Sequence, residues 1–565
     1  MTGGYLALYG PEAKRAIPGQ RALLAQLGYQ VAYQDQDLLI FALAGAPVRA
    51  CSGLGVLVGR LFRKTDDIDD PRSVQDLLTN YWGSYVAFLP GPEGIAVLRD
   101  PSGALPCFSG ASQGLQYATD QPRLLLDVGL LSGEIDWTFV VQDLAFKRRR
   151  GRRTGLLGLD EIAPGELRAF AGSATLAWSP WRFTASSQAF STLEEAAAAL
   201  ATAVDDCVNR LAQDYDRLLL ELSGGLDSSI VAAAMHGDTR VRAFNAASAD
   251  PEGDEKDFAA HVARLNKMTL VFHTLDAGEA RLPSPGRNLQ TARPGRLGVL
   301  AGLNAALATE ARETGATAFI GGMGGDSVFF ATNSAAPIAD RLVRRGPSLG
   351  LIRTGLDVAR LNNATVWAAA KRAWSLLSTP RLADDRGLDL SFLRHVGPLH
   401  AEQHSWMAAR PRECPPGRER HVASIAFMMG FLDGHAQRNG LDQLSPLLAQ
   451  PVIETALRTP SWFSVDKGQD RAVARAAFAD RLPDSVRFRR SKGAIDRYVD
   501  DVVRANQTHL GDLLLDGVLD RHGLLDAPAI RAALKASAGL TGERGQRLLF
   551  LADAELWARS WTKAA

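Results

Sequence analysis

Cysteine is scarce in this chain. Four thiols, Cys51, Cys107, Cys207 and Cys414, are scattered over 565 residues and form no CxxC pair. That excludes a zinc ribbon or a dithiol redox centre, and isolated thiols of this kind suit a reducing cytoplasm. Long apolar runs are missing too: the Ala-rich stretches are broken by charges, so none reads as a membrane span. Met1-Thr2-Gly3-Gly4-Tyr5 has neither the basic nor the apolar region of a secretory signal. Charge of one sign is not in excess. Lys+Arg 63 against Asp+Glu 62 leaves a formal net charge of +1, which argues against a general nucleic-acid binder. The 46% hydrophobic content argues against a disordered chain. There are no internal repeats and no GxxxxGK[ST] loop.

What is present is enough chain for two large domains, expected at 1–185 and 190–565. The first part is β-rich. Short apolar runs at Leu38–Leu43, Gly55–Val58, Tyr85–Leu89 and Ile95–Asp100 alternate with Gly, Pro and Asp turns, which fits an all-β or layered α/β domain. The polar stretch 178–188 reads as a linker, and a helix over 193–213 follows it. The second part alternates strand and helix. Strands are expected at Arg217–Leu222, Val241–Asn245, Thr269–Phe272 and Thr317–Ile320, with helices at 228–236, 254–267 and 297–314 between them. That rhythm predicts a parallel, doubly wound sheet with ligands at the carboxyl ends of its strands. Beyond about residue 335 the chain reads as mainly helical. The run Lys147-Arg148-Arg149-Arg150-Gly151-Arg152-Arg153 reads first as a solvated loop.

The strongest local pattern is Leu222-Ser223-Gly224-Gly225-Leu226-Asp227-Ser228-Ser229, placed between a strand and a helix. Its glycines let the backbone turn tightly and approach an anion. Its amides, with the Ser223, Ser228 and Ser229 hydroxyls, can ring a pyrophosphate at a helix N-terminus. A carboxylate, Asp227, in such a loop would repel phosphate. Magnesium reconciles the two, because it takes oxygens from both, and a second carboxylate is then expected at another strand end. Gly321-Gly322-Met323-Gly324-Gly325-Asp326 follows the strand Thr317–Ile320 and supplies it. Asn245, Ala246, Gly321 and Gly322, at strand ends, are candidate neighbours of the nucleotide.

The first loop looks like the SGGxDS pyrophosphate loop of ATP-pyrophosphatases. In this order and spacing the two loops resemble the synthetase domain of class B asparagine synthetases. The relatives of those enzymes include β-lactam synthetases and the macrolactam-forming cyclases of lasso-peptide pathways. Gly440 to Leu448 resembles the family's SLExRxPFLD stretch, Arg490-Ser491-Lys492-Gly493 its late RxK motif, and Arg547 to Trp557 its closing helix. Arg99-Asp100-Pro101-Ser102-Gly103 with Pro106, Tyr117 to Asp120, and Ile162 to Gly165 resemble landmarks of the glutaminase-type domain. The resemblance implies an α/β protein. Its first domain would be a degenerate glutaminase-type αββα layer structure. Its second would be an ATP-pyrophosphatase domain with a parallel sheet and a helical C-terminal part.

The departures sharpen that expectation. Family glutaminases use an N-terminal Cys, and here Thr2 follows Met1. Met323 stands where asparagine synthetases carry Glu and some lactam-forming relatives carry Tyr, Ser327 replaces another Glu, Leu444 the Arg of SLExR, and Ala449 its final Asp. These changes resemble the lasso-peptide cyclases. The resemblance implies an ATP- and Mg2+-dependent carbon–nitrogen ligase that releases AMP and pyrophosphate. Such an enzyme adenylates an Asp or Glu side chain of a precursor peptide and closes a macrolactam with the peptide's own amine. It further implies Asp227 and Asp326 as metal ligands, Lys492 as a cation near the α-phosphate, and Asp442 as the candidate base ahead of His435. Partners would be a leader-binding protein and a leader peptidase. Other readings on the same frame are a small-molecule amide ligase, such as an asparagine or β-lactam synthetase, and a catalytically dead peptide-binding scaffold.

Overall fold

The computed structural model of the chain describes residues 4–11, 13, 17–64, 70–112, 114–146, 150–170, 174–248, 255–278, 280–295, 301–378, 387–394, 399, 402–432, 440–489, 496–535 and 542–562. Twelve strands come from its first part: β1 (Tyr5–Tyr9), β2 (Tyr29–Gln34), β3 (Leu38–Leu43), β4 (Val48–Cys51), β5 (Gly55–Arg63), β6 (Tyr81–Gly91), β7 (Gly94–Arg99), β8 (Phe108–Ser112), β9 (Leu115–Thr119), β10 (Asp160–Glu161), β11 (Glu166–Arg168) and β12 (Ala174–Leu176). They form two antiparallel sheets, ordered β10-β8-β9-β1-β3-β2 and β12-β11-β7-β6-β5-β4.

Period-two alternation explains the layering. Tyr5, Ala7 and Tyr9 of β1 meet Val56, Val58, Val86 and Phe88 of the other sheet in an inter-sheet core. Leu6 and Leu8 turn to the outer face, where the closing helix Glu543–Thr562 covers them with Leu548, Leu549, Trp557 and Trp561. The outer face of the second sheet carries Leu57, Trp82, Tyr85 and Leu98, and its core continues without a break into the second half of the chain. Each sheet is therefore apolar on both faces, which a helix–sheet–sheet–helix layering requires.

In that second half, α1 (Leu193–Ala212) starts at Thr192, whose hydroxyl accepts from the Glu195 amide. Next come β13 (Leu218–Glu221), α2 (Leu226–Ala234), β14 (Val241–Ser248), α3 (Lys256–Leu265), β15 (Thr269–Leu275), α4 (Ala301–Thr314), β16 (Ala318–Ile320) and, much later, β17 (Asp442–Leu444). These five strands pair in parallel in the order β15-β14-β13-β16-β17. The chain leaves β13 to one side for β14 and β15, then crosses to the other for β16. The crevice at that switch is where such sheets bind ligands. After it come α5 (Ala336–Arg345), α6 (Leu349–Leu361), α7 (Val366–Ser378) and further helices.

Two expectations need correction. The stretch 178–188 is not a loose linker. Trp178 and Trp181 are buried in the shared core, their indole N–H groups donating to Glu454 and to the Trp406 carbonyl at 3.1 and 2.6 Å. The described arginines of the run are engaged as well, Arg150 largely buried and Arg152 and Arg153 paired while still partly exposed. Arg150 binds Glu161 at 2.8 Å and the Gly430 carbonyl at 2.6 Å, Arg152 binds Glu166 at 2.8 Å and Arg153 binds Asp136. Glu161 is buried and also meets Arg99 and Arg293. Burial works against its charge, but the three guanidiniums outweigh it and hold the carboxyl well below its usual range. Lys147, Arg148 and Arg149 lie outside the described residues.

Candidate active site

A cavity of about 720 Å³ opens at the carboxyl ends of β13, β16 and β17. The phosphate-loop residues form one wall. Leu222 still belongs to the sheet, its amide donating to the Phe244 carbonyl at 2.9 Å. Gly224 then takes φ +77°, and a Cβ there would meet the backbone of Ala259 at 2.8 Å, so the turn needs glycine. Ser223 Oγ lies 3.0 Å from Ser228 Oγ and accepts from the Gly225 amide at 3.3 Å, while Ser229 Oγ donates to the Gly225 carbonyl at 2.7 Å. Asp227 sits in the first turn of α2.

The second glycine loop packs directly on the first. A Cβ on Gly322 would press on the Ser228 amide, and one on Gly325 on the Asp227 carboxyl group. Only glycine lets Asp326 and Asp227 come this close. Between them stands Arg471, which no local signal in the sequence singles out. Its Nη1 lies 2.6 Å from Asp326 Oδ1 and 3.3 Å from Asp227 Oδ1, and its Nε lies 3.2 Å from Asp470. Burial works against the guanidinium's charge, but Asp227, Asp470 and Asp326 outweigh it and raise its pKa. Arg475 is tied to Asp470 at 3.2 Å. Arg489 pairs with Glu255 at 2.8 Å and stacks over Phe258 at 4.0 Å.

The two aspartates already share one cation, so the donor set fits a divalent ion held jointly with phosphate oxygens. Among the described residues no three His, Cys, Asp or Glu gather to hold a metal without such help.

Of the expected site residues, Ser223, Gly225, Asp227, Ser228, Gly321 and Gly322 line the cavity. Leu222, Gly224 and Ser229 build the loop from behind. Asp326 stands beside the cavity through Arg471. Asn245 and Ala246 do not line it. Asn245 is buried and donates to the Leu222 carbonyl at 2.8 Å, so it fastens the loop from beneath. Ala246 packs in the apolar cluster of Leu219, Phe244 and Leu307.

Asp442 is the clearest correction. It pairs with Ala318 at the start of β17, is buried, and accepts the Tyr215 hydroxyl at 2.6 Å. Leu441, Gln443 and Leu444 line the cavity and Asp442 does not, so its carboxyl is directed to Tyr215 rather than to a substrate there. Lys492 and His435 lie outside the described residues. The carboxylate that does face the cavity from a strand end is Glu221, the last residue of β13. Its sequence signal was a single acid closing an apolar strand.

Much of the remaining wall is apolar, from Leu303, Leu307, Phe319, Met323, Leu441 and Leu444, with Asn304, Asn333 and Gln443 as polar members. Met323 Sδ accepts from Gln443 Nε2 at 3.4 Å.

Among the described residues no helix is long and apolar enough to cross a membrane. A sequence model of the asparagine synthase family matches residues 199–559, from within α1 through the parallel sheet and both glycine loops to the closing helix. No curated protein matches the chain.

Proposed function

The chain belongs to the asparagine synthase family, and from that premise we propose that it is an ATP-dependent amide ligase acting on a peptide, whose side-chain carboxylate it joins to the peptide's own amine as a macrolactam. The observation that carries this reading is the apolar wall of the cavity. Leu444 and Met323 line it beside Leu303, Leu307, Phe319 and Leu441. The three cavity arginines, Arg471, Arg475 and Arg489, are each engaged by a carboxylate close to the two loops. Free aspartate would set a second carboxylate against that wall, and burying such a charge without a partner is costly. A side-chain carboxylate carried on a peptide is flanked by backbone amides rather than by an α-carboxylate, and the other ionisable group the peptide brings, its attacking amine, is assigned to Glu221.

In the proposed reaction a carboxylate oxygen of the substrate attacks the α-phosphorus of ATP, and the bond to the bridging oxygen breaks to release pyrophosphate. The amine nitrogen then attacks the acyl carbon, the carbon–oxygen bond to the phosphate breaks, and AMP leaves. Mg2+, held by Asp227 and Asp326, would offset the charge of the phosphates. The loop amides and Ser223 and Ser228 would orient them, Arg471 and Arg475 would face the leaving pyrophosphate, and Lys492 would stand near the α-phosphate. Glu221 is assigned the proton that the attacking amine gives up. Holding both ends of one peptide in this cavity supplies rate through proximity, worth roughly 7–11 kcal/mol in favourable cases.

The layered first part of the chain fits a glutaminase-type frame without glutaminase chemistry. All four cysteines are buried, and burial pushes the Cys107 thiol up to about 11, so none is set as a nucleophile. The amine therefore comes with the substrate. A leader-binding protein and a leader peptidase would deliver that substrate in the cytoplasm.

The test is ATP–pyrophosphate exchange with the purified protein, magnesium and synthetic candidate precursor peptides. Exchange with a peptide but not with aspartate, abolished by Asp227→Ala, is expected. Glu221→Gln should keep exchange yet slow amide formation by about 10²–10⁴-fold. Exchange with free aspartate would instead make this a small-molecule ligase, and absence of exchange with any acid would leave a binding scaffold.

A further inference from the structure

Helices α5, α6 and α7 carry an outer surface that the ligase reading does not use. Leu349 is 85% exposed, Trp367 81% and Trp374 67%, with Val343, Ile352 and Leu356 exposed beside them. Side chains of this size normally fill a core, and a cluster of them on one surface marks an interaction site. The helical spacing makes the cluster continuous. Leu349, Ile352 and Leu356 follow one another at three and four residues along α6, and Trp367 and Trp374 stand two turns apart along α7 with Lys371 between them. The inner faces are satisfied. Val358, Ala359, Ala369 and Ala373 pack together with Ile338 and Ala339 in a small core of their own. Leu356, Arg360 and Val366 line a shared depression at the α6–α7 junction, so the stripes meet there.

The charge along these helices is mostly of one sign. Residues 341–378 contain seven basic side chains, Arg341, Arg344, Arg345, Arg353, Arg360, Lys371 and Arg372, against one acid, Asp357. Asp357 is buried beside Arg353 and Arg360, and the half-buried Asp466 of a neighbouring segment binds Arg353 at 2.9 Å. The whole chain, by contrast, is neutral to within one charge. A second copy of the same face would meet its own positive charge, which argues against self-pairing through it.

We infer that this face docks on an anionic lipid surface, with Trp367, Trp374, Leu349 and Ile352 entering the headgroup boundary and the arginines and Lys371 meeting lipid phosphates. Protruding Trp and Leu among Lys and Arg is the pattern of helices that lie in a membrane interface. Arg341, Arg344 and Arg353 are tied to Thr354, Ser186 and Asp466, while Arg345, Lys371 and Arg372 stand at the surface on long flexible stems that a fluid layer of phosphates can meet in any arrangement. The absence of any membrane-crossing helix among the described residues fits attachment by a surface.

The experiment is flotation of the full-length protein with vesicles of phosphatidylcholine mixed with phosphatidylglycerol, and with vesicles of phosphatidylcholine alone. Binding to the anionic vesicles only, weakened by salt, is expected, with tryptophan fluorescence quenched by brominated acyl chains. Of the ten tryptophans, Trp367 and Trp374 are the strongly exposed ones. Trp367→Ser with Trp374→Ser should therefore remove the quenching and lower vesicle affinity at least about tenfold. Lys371→Gln with Arg372→Gln should lower it about fivefold per charge. All four positions are solvent-facing, so both variants should keep the wild-type melting temperature. No binding, binding without quenching, or binding unchanged in the variants would each overturn the inference. So would shielding of Trp367 and Trp374 by an acidic pathway protein with no vesicle binding, which would assign the face to that protein.

Discussion

Arg471 occupies backbone that side chains seldom tolerate, at φ 51° and ψ 34°, one residue before the helix Ala472–Ala477. The strain aims its guanidinium between Asp227 and Asp326. Any divalent ion those carboxylates hold must share them with Arg471 or displace it. Arg471→Met should therefore lower stability by about 1–3 kcal/mol, since two carboxylates lose a charged partner. Magnesium without nucleotide should then raise the thermal midpoint of the variant more than that of the wild type, because no internal cation competes for the site. Equal magnesium shifts in both proteins would show that the metal and Arg471 do not use the same oxygens, and the assignment of Asp227 and Asp326 would fall with it. In the sequence Arg471 is one of 63 basic residues with no motif around it. Its importance arises from a contact 244 positions away in the chain, which no local pattern encodes. Asp227 and Asp326 were legible for the opposite reason: each stands in its own glycine loop.

The two loops act as one element because their glycines interlock. A methyl group on Gly322 would lie 2.5 Å from the Ser228 amide and 2.7 Å from the Asp227 carbonyl carbon. Neither is a flexible side-chain end that could swing aside. Gly322→Ala should therefore push the loops apart, costing about 1–3 kcal/mol by overpacking. ATP–pyrophosphate exchange should vanish even though no functional group is removed. A variant that exchanges normally would show that the loops do not depend on each other. Strand, glycine loop and helix were readable at this scale because each follows from local periodicity. β13 through β16 and helices α2 to α4 accordingly lie within a few residues of where the pattern predicts them. The three-residue strand β17 was not readable. Its register against β16 decides which side chains face the cavity, and a one-residue shift would exchange Gln443 for Asp442. Trp178 and Trp181 misled for a related reason: a short polar stretch looks like a linker until the core that receives its two indoles is known.

At the scale of the whole molecule, cores that bind the two halves together bury ionisable groups of opposite habit. Asp120 lies under β1, accepting the Gly4 and Tyr5 amides at 2.6 and 3.0 Å. Burial outweighs those bonds and pushes its carboxyl up to about 6, and Asp100 behaves alike. His421 is stacked on Phe330, with its Nε2 2.9 Å from the Val328 carbonyl. Burial, aided by Arg418, pulls it down to about 3. The two habits have opposite linkage. A raised carboxyl contributes stability that is fully present below its unfolded pKa near 4 and lost as pH rises through about 6. A depressed histidine contributes stability that is present above about 6.5 and lost as pH falls toward 3. Between pH 4 and 6 the folded protein keeps a proton on Asp120 that the unfolded chain gives up, while the unfolded chain carries one on His421 that the folded protein refuses. The two slopes, about 1.4 kcal/mol per pH unit each, oppose each other. Asp120→Asn should remove one of them. The variant should lose stability relative to wild type on acidification from pH 6 to 4, by about 3 kcal/mol in total. His421→Gln should gain by comparison over the same range. Denaturant unfolding of the three proteins across pH 4 to 6 measures both differences. Parallel curves for Asp120→Asn and wild type would mean that Asp120 is already ionised in the folded protein, and that the two backbone amides it caps outweigh the burial of its charge.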